Sequence, residues 1–469
     1  MTEIKKLPGR IFALILSLIC ILSAALPAMA DTVGASGSGN NEKGEPEKSY
    51  DPPEQEHAAY VYLYNFENDV VLYEKGDLNL PTYPTSTVKI MTGVAAIEAL
   101  DGNRQKEITV TEEMLSHVAG NSIELQAGER VSAEQMLYAT IVNGANDAAI
   151  VLAYMVSGSI EGFVKLMNDK AHEFGMNGTV YTNPTGMHDD AMYTTTADTV
   201  KLARHAYESS YFMEIASTEK YVMQSLTSEN EYRTIRNRNC LISKFYRTDY
   251  YYDRAIGMNA GYTRQGGYSG VFVARSDDGK LTYLCVIMNA EATEPEGGGS
   301  DSVLHNYTGA IELFDWAFES YGYREVLSNK QVMAELPVTL SATVDYVTLV
   351  PSDSITVYLR NDVDTATDIK TVISTEESIA APITKGQVAG NVRVVYGDRE
   401  LGRVDLITTA DISRSEFLHT VERIRNFTSG KFFIAAAVSA VLLTVAYVLI
   451  EARLRTKRLR RGTPGGYRK

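Results

Sequence analysis

A serine placed three residues before a lysine is the part of this chain best suited to chemistry. Ser86 and Lys89 belong to the stretch PTSTVK (84–89), at the expected start of a helix. Positions i and i+3 share one face of a helix, so we expect the Lys89 amine to reach the Ser86 hydroxyl. A partly desolvated amine with a lowered pKa takes the serine proton and leaves an activated nucleophile. Ser-x-x-Lys alone is a weak pattern, because it arises by chance on surface helices.

Further polar segments follow the serine in a fixed order. They are NGANDAA (143–149), NPTGM (183–187), TTAD (195–198) and GMNAGYT (257–263). This order and spacing resemble those of the D-alanyl-D-alanine carboxypeptidases, the low-molecular-mass, serine-type penicillin-binding proteins. The segment APITKGQVAG (381–390) is similar to that family's C-terminal β-domain, so the resemblance covers roughly residues 58 to 412.

The resemblance implies catalytic roles at the first two of three family motifs, Ser-x-x-Lys and Ser-x-Asn. Ser86 would be the acylated nucleophile and Lys89 its proton acceptor. Asn146 matches the second motif, but Gly144 occupies its serine position. The hydroxyl expected to relay a proton to the leaving amine is therefore missing, and such a loss costs about 10² to 10⁴ in rate.

The third motif, Lys-Thr-Gly, departs further from the family pattern. Asn259 replaces its lysine and Ala260 its threonine, while Gly261 is kept. The lysine and threonine help to bind the terminal carboxylate of the substrate, and losing a charged hydrogen bond costs roughly 1.5 to 3 kcal/mol. Thr263 shares the alternating face of Asn259 and Gly261, and Arg264 is near, so we expect partial rescue.

The resemblance also places an oxyanion hole at the backbone N–H groups of Ser86 and Tyr262, which side-chain changes leave in place. Asn259, Gly261, Tyr262 and Thr263 are the expected substrate-binding residues. The predicted function is therefore a serine-type carboxypeptidase that acts on peptidoglycan stem peptides through an acyl-enzyme on Ser86, with β-lactams as acylating inhibitors.

Two other functions remain open from the sequence. The first is a catalytically inactive, membrane-anchored homologue that binds cell-wall peptides or partners, because two of the three motifs are altered. The second is a β-lactamase, which the additional β-domain and the anchor disfavour.

Both ends of the chain carry membrane signals. Residues 1–30 read as a secretory signal, with Lys5, Lys6 and Arg10 before an apolar run and an A-x-A site at its end. Residues 432–450 contain no charge and are long enough to cross a bilayer. The basic tail 451–469 places that end in the cytoplasm. We therefore expect a single-pass protein of the cell membrane whose catalytic domain is extracytoplasmic.

Between these ends the composition changes several times. Residues 31–57 are rich in Gly, Ser, Asn, Glu and Pro, which predicts a flexible linker. Residues 58–323 combine strands with helical periodicity, which predicts an α+β, β-lactamase/transpeptidase-like domain with helices packed on an antiparallel sheet. Within it, Ser132 and Gln135 form a capping-box pattern that should start a helix, and Gly144 should end that helix. Short β-rich segments over 324–412, with a turn expected at Gly397-Asp398, predict a small all-β domain. Residues 416–431 read as an amphipathic juxtamembrane segment.

The overall charge and the remaining motifs exclude several classes of partner. The net formal charge of −15 includes the basic tail, so the remainder of the chain is more acidic than this value. An acidic protein is poorly suited to nucleic acid as its main partner. No phosphate loop or paired-histidine motif occurs, so no cofactor and no metal are expected. We interpret His188-Asp189-Asp190 as a loop at the rim of the site rather than as metal ligands. After signal cleavage only Cys240 and Cys285 remain, and the fold does not depend on their pairing.

Overall fold

The computed structural model describes residues 50–228, 231–294 and 301–460, so the predicted signal lies outside the described residues. The strands are β1 Ala58–Asn65, β2 Val70–Lys75, β3 Glu107–Thr109, β4 Arg130–Ser132, β5 Lys220–Gln224, β6 Tyr232–Arg236, β7 Ala255–Thr263, β8 Gly267–Arg275, β9 Thr282–Ala290, β10 Ala292–Thr293, β11 Val303–Leu304, β12 Tyr321–Leu327, β13 Ala334–Thr339, β14 Tyr346–Pro351, β15 Ile355–Arg360, β16 Ile369–Thr375, β17 Ile379–Ala380, β18 Val388–Tyr396 and β19 Arg399–Thr408. The helices are α1 Val88–Leu100, α2 Glu112–Ser116, α3 Ala133–Tyr138, α4 Asn146–Ser157, α5 Ile160–Glu173, α6 Thr196–Glu208, α7 Ser210–Ala216, α8 His305–Ser320, α9 Glu416–Ser429 and α10 Lys431–Arg460.

The first domain is built on a five-stranded antiparallel sheet in the order β2-β1-β9-β8-β7. Its central strands are apolar on both faces, because alternate residues face two different cores. Leu284 and Val286 of β9 pack into the core that contains α1 and α4. Cys285 and Ile287 of the same strand pack against α8. Helices therefore cover both faces of an antiparallel sheet, which confirms the predicted fold class.

Two helices of this layer are buried on nearly every side. Most residues of α1 and of α4 are inaccessible to solvent, as their almost uninterrupted apolar sequences require. A single 3₁₀ turn, Thr85–Thr87, leads into α1, and Asn146 is the first residue of α4. The deep burial of both helices fixes the positions of the polar residues at their N-terminal ends.

The helix predicted to begin at Ser132 and to stop at Gly144 does both. Ser132 and Gln135 form the predicted capping box at the start of α3. After Tyr138 the chain widens into a π-helical turn, Ala139–Asn143. Gly144 then ends it with φ of 69°, in the left-handed region that favours glycine.

The second domain is all β, as predicted. Six strands form a sheet in the order β16-β18-β19-β14-β13-β17, and β12 pairs with β15. The β18–β19 hairpin turns at Gly397, where the sequence predicts a turn. Its core contains Leu349, Val392, Val394 and Leu406, all fully buried.

The contacts of the large domain begin earlier than the boundary expected at residue 58. Trp316 Nε1 donates to the Tyr50 carbonyl at 3.0 Å, and Gln55 Nε2 donates to a Glu312 carboxylate oxygen at 3.3 Å. Residues 50–57, assigned to the flexible linker from their polar composition, therefore pack against α8. Composition missed this because polar groups, rather than apolar side chains, make these contacts.

The chain ends in two helices of different character. Helix α9 exposes Phe417, Val421, Ile424 and Phe427 at spacings that place them along one face. In α10 the stretch Lys431–Lys457 contains an 18-residue window with a mean hydropathy of 2.6, and none of that window is buried. This helix is long and apolar enough to serve as a membrane anchor.

A buried carboxylate at the start of α4 is expected to hold the preceding loop. The Asp147 carboxylate accepts from Ser122 Oγ at 2.6 Å and from the Ile123 and Leu125 N–H groups at 3.1 Å. Asp147→Asn removes charged acceptors and should lower the free energy of unfolding by roughly 1.5 to 3 kcal/mol in denaturant titrations. The exposed Asp345→Asn should change it by less than about 0.5 kcal/mol. Equal effects of the two changes would contradict this role.

Candidate functional site

A cavity of about 500 Å³ opens between strand β7, at the edge of the large sheet, and the helical layer. The structure brings all the sequence-predicted site residues to its wall: Ser86, Lys89, Asn146, Asn259, Gly261, Tyr262 and Thr263. These residues come from three separate regions of the chain, so the fold assembles the site that the order of motifs predicts.

Ser86 lies half-buried at the cavity wall, in the 3₁₀ turn before α1. The preceding residue, Thr85, has φ of 52°, an unfavourable conformation for a β-branched residue. Such backbone conformations persist where the surrounding structure imposes them, and they concentrate at functional sites. The turn presents the Ser86 hydroxyl to the cavity while α1 continues into the core.

Gly261 on β7 lies directly against Ser86. A Cβ atom at position 261 would be 2.3 Å from Ser86 Cβ and 2.4 Å from Ser86 Oγ. No side chain fits in that space, so only glycine lets the edge strand approach the serine this closely.

Lys89 is only 2% exposed, and its ammonium donates a hydrogen bond to the Thr185 carbonyl. Burial, reinforced by the nearby Arg238 charge, lowers the pKa of Lys89 to about 7. The amine and Ser86 line the same cavity, but no hydrogen bond joins them among the described residues. The Lys89 amine thus donates to a carbonyl rather than to the Ser86 hydroxyl that the i, i+3 spacing lets it reach. The neutral amine that the chemistry needs is available near neutral pH.

The loop that supplies this carbonyl is held by one side chain. Asn183 Oδ1 accepts from the Thr185 hydroxyl at 2.8 Å and from the Gly186 N–H at 2.9 Å. Asn183 Nδ2 donates to the Met187 carbonyl at 2.9 Å. This network explains why the NPTGM segment accompanies the Ser86 motif: it fixes the acceptor that holds Lys89.

Asn146 and Gly144 form the wall contributed by the second motif. Asn146 Nδ2 donates to the Ala119 carbonyl at 2.6 Å, while its Oδ1 is buried without a partner among the described residues. A Cβ at position 144 would meet only Asn121 Nδ2, at 3.9 Å. The space where the hydroxyl is missing is therefore open to a water molecule, while φ of 69° would strain a serine at this position.

The third motif lies along β7. Asn259 is 6% exposed, and its Oδ1 also lacks a partner among the described residues. Tyr262 is 53% exposed, and its ring centroid lies 4.4 Å from that of Tyr268. Thr263 Oγ1 accepts from the Gly266 N–H at 2.9 Å, which uses a lone pair of the hydroxyl and not the O–H that would donate to a carboxylate. Arg264 is absent from the described residues that line the cavity.

Several lining residues were not identified from the sequence. Arg238 Nη1 donates to Asn121 Oδ1 at 2.9 Å, and Arg247 pairs with Asp249 at 2.7 Å. Asn306, at the start of α8, is 1% exposed and has an unpartnered Oδ1 among the described residues. The polar run 236–239, which begins at the last residue of β6, was the available signal for Arg238.

No grouping of three or more His, Cys, Asp or Glu side chains suited to a metal is found in the part of the chain that the structure describes. His188 Nε2 instead contacts Asp190 Oδ1 at 3.1 Å, on a segment near Thr85 and Gly186. The two cysteines are buried and free.

Sequence profiles of known families match both domains. The profile described as D-alanyl-D-alanine carboxypeptidase matches residues 47–292, which is more than half of the chain. The profile described as the C-terminal domain of penicillin-binding protein 5 matches residues 321–414.

Individual relatives match over most of their own length. The D-alanyl-D-alanine carboxypeptidase DacF of Bacillus subtilis is 26% identical over 368 residues, which cover 78% of this chain and 88% of the relative. The D-alanyl-D-alanine carboxypeptidase DacC of Escherichia coli is 23% identical over 398 residues, which cover 82% of this chain and 91% of the relative.

Solved structures share the fold. Penicillin binding protein 5 from Haemophilus influenzae matches with a TM-score of 0.53 at 21% identity, covering 77% of this chain and 99% of that one. The D-alanyl-D-alanine carboxypeptidase DacD from Francisella tularensis matches with the same TM-score, 0.53, at 21% identity. This match covers 81% of this chain and 99% of that one. Together with the assembled Ser86 site and the two-domain architecture, these matches show that the chain belongs to the serine-type D-alanyl-D-alanine carboxypeptidase family of low-molecular-mass penicillin-binding proteins.

Proposed function

We propose that this protein hydrolyses the terminal peptide bond of D-alanyl-D-alanine stem peptides of peptidoglycan, with Ser86 as its nucleophile. The observation that supports this best is a half-buried serine in the wall of a cavity that a buried lysine also lines, with the pKa of that lysine lowered to about 7. A buried, neutral amine next to a hydroxyl is the arrangement that nucleophilic catalysis by serine requires.

Acylation uses Lys89 twice. The neutral amine accepts the Ser86 proton as Oγ attacks the carbonyl carbon of the penultimate D-alanine. In the tetrahedral intermediate the backbone N–H groups of Ser86 and Tyr262 stabilise the oxyanion. The C–N bond then breaks, the leaving amine takes the proton from the Lys89 ammonium, and an ester on Ser86 remains. Water hydrolyses this ester, with Lys89 accepting the water's proton and Ser86 recovering its own.

The altered motifs slow this cycle and leave its chemistry in place. Gly144 supplies no hydroxyl to relay the proton to the leaving amine, so a water molecule takes over this relay in the open space beside it. Asn259 in place of a lysine weakens attraction for a free carboxylate. Ser86, Lys89 and Gly261, which form the reacting centre, are intact.

The protein works from the outer face of the cell membrane. The uncharged part of helix α10, residues 432–450, spans the bilayer, and the basic residues from Arg453 onward remain in the cytoplasm. The apolar face of α9 lies along the membrane surface. The all-β domain stands between this anchor and the catalytic domain, where it spaces the cavity from the lipid.

A second candidate function is a membrane-anchored homologue that binds stem peptides without turning them over. The contact between Lys89 and the Thr185 carbonyl favours it, because the amine must leave this acceptor to reach the Ser86 proton. The absence of a hydroxyl at Gly144 also favours this function, because no side chain there relays a proton to the leaving amine.

Labelling by a fluorescent penicillin separates the two functions. The detergent-solubilised wild type should become labelled, because the β-lactam carbonyl acylates Ser86, and Ser86→Ala should abolish the label. Ser210→Ala, an exposed serine at the start of α7, is the matched control and should label as the wild type does. An unlabelled wild type would favour the binding-only function, and an equally labelled Ser86→Ala would place the nucleophile elsewhere.

The rate of labelling should depend on pH through Lys89. Below about pH 7 the amine is protonated and accepts no proton, so the rate should rise as pH increases through about 7 and then level off. Removing the nearby cation in Arg238→Gln should raise the pKa of Lys89 and shift the profile to higher pH. Stopped-flow labelling between about pH 5.5 and 9.5 measures the pH profile of the wild type and its shift in the variant. A profile that is flat through neutrality would show that Lys89 is not the base.

The close approach of β7 should be intolerant of any side chain. Gly261→Ala would place a methyl group 2.4 Å from Ser86 Oγ, so the strand or the serine must move, and labelling should fall by at least about tenfold. Gly322→Ala, where the added Cβ meets only Asn361 Oδ1 at 3.6 Å, is the control. Circular dichroism should show both variants folded. Normal labelling of Gly261→Ala would contradict the geometry.

A further inference from the structure

The cavity is a cationic region in an acidic protein. The chain carries a net formal charge of −15. The described residues that line the cavity nevertheless include three cationic side chains, Lys89, Arg238 and Arg247, and no aspartate or glutamate. A cleft lined by one sign of charge concentrates ligands of the opposite sign. The lining therefore favours a substrate that carries an anionic group.

Two of these cations are already engaged. Arg247 forms a bidentate pair with Asp249, in which Nε donates to Oδ1 at 3.1 Å and Nη2 donates to Oδ2 at 2.7 Å. Lys89 is buried, and its pKa is lowered to about 7, so it carries little charge above neutral pH.

Arg238 is the lining cation whose charge is not neutralised by an acidic side chain among the residues that the structure describes. Its Nη1 donates to Asn121 Oδ1 at 2.9 Å, and its guanidinium lies 5.0 Å from the centroid of the Tyr246 ring. A guanidinium has five N–H donors, and Asn121 takes one of them. The exposed side chain therefore has donors left for a ligand in the cavity.

The backbone on both sides of Arg238 is fixed by buried amides. Asn237 and Asn239 are only 1% and 3% exposed. Asn237 Nδ2 donates to the Ala216 carbonyl at 3.1 Å, and its Oδ1 accepts from the Asn239 N–H at 2.9 Å. The Arg238 N–H donates to the Val142 carbonyl at 2.9 Å. A side chain carried on such a rigid segment loses less freedom when it binds a ligand.

Arg238 lies next to the second motif and near the base. The amide that accepts from it, Asn121, has its Nδ2 3.9 Å from the place where a Cβ on Gly144 would lie. The charge of Arg238 also contributes to lowering the pKa of Lys89, which places the guanidinium close to the reacting centre. Asn259, which replaces the lysine of the third motif, lines the same cavity.

We propose that Arg238 binds the terminal carboxylate of the D-alanyl-D-alanine substrate and supplies the positive charge that Asn259, in place of a lysine, does not. A guanidinium donates parallel N–H bonds to both oxygens of a carboxylate, and these charge-assisted bonds are stronger than neutral ones. The inference rests on the proposed function and adds to it a residue that determines specificity. Arg238 holds the carboxylate while Ser86 Oγ attacks, and the carboxylate departs with the released D-alanine.

Binding measures this role without any turnover. In the full-length Ser86→Ala protein in detergent, calorimetry compares diacetyl-L-Lys-D-Ala-D-Ala with the same peptide ending in a carboxamide. The carboxylate peptide should bind at least about tenfold more tightly. Adding Arg238→Gln should weaken the carboxylate peptide by about ten- to a hundredfold and the carboxamide by less than about threefold. The ratio of the two peptides excludes the effect of Arg238 on the pKa of Lys89, because both peptides meet the same amine.

Two further variants separate recognition from structure. Arg236→Gln removes the same charge two residues earlier, where the guanidinium lies over the Phe245 ring at 4.0 Å, and should leave the ratio unchanged. Asn259→Lys, added to Arg238→Gln, should recover at least about tenfold of the carboxylate affinity, because it restores a cation in the same cavity. Circular dichroism should show that every variant is folded.

The possible outcomes separate this inference from the proposed function. An unchanged ratio in Arg238→Gln, equal losses for both peptides, or no measurable binding of either peptide would overturn the role of Arg238. No recovery with Asn259→Lys would overturn the claim that Arg238 acts in place of the lysine. If penicillin labels Ser86 and the ratio is unchanged, the carboxypeptidase function stands and this role fails. If penicillin labels nothing, yet Arg238→Gln abolishes the preference for the carboxylate, the role stands and the catalytic function fails.

Discussion

The burial of one amine is the interaction on which the rest of the site depends. Lys89 lies within a helix that is buried on nearly every side, and its only described acceptor is a carbonyl of the loop 183–187. Taking an ammonium out of water is unfavourable, so the protein favours the neutral form. Because the ammonium is disfavoured, the amine is neutral near pH 7 and can accept a proton as a base. The core helix and the Asn183 loop together maintain it, which links the packing of the domain directly to the reactivity of Ser86.

The edge of the sheet provides the other half of the site. Strand β7 lies against Ser86 only because Gly261 has no side chain, and the 3₁₀ turn before α1 brings the hydroxyl to the same point. The changes at Gly144 and Asn259 surround this centre without entering it. We infer that the altered motifs change proton relay and recognition of the substrate's end more than they change the bond-making step.

The sequence predicted the fold class, the capping box at Ser132 and the residues that meet at the cavity, because motif order, helix signals and alternating apolar runs are local patterns. It did not predict Arg238 or Asn306, since each reaches the cavity only through tertiary contacts. Nor did it predict that the Thr263 hydroxyl is engaged by the following turn. The packing of residues 50–57 on α8 was missed because hydrogen bonds to a distant helix leave no trace in composition.

The protonation state of Lys89 decides whether Ser86 has a base at neutral pH. In protein labelled with ¹³C at lysine Cε, the Lys89 signal can be assigned by its disappearance in Lys89→Arg, and its shift followed across pH. We expect a titration midpoint near 7, well below the usual range for lysine. A midpoint near that of the exposed lysines would show that the amine is charged at neutral pH, and Ser86 would then lack its base.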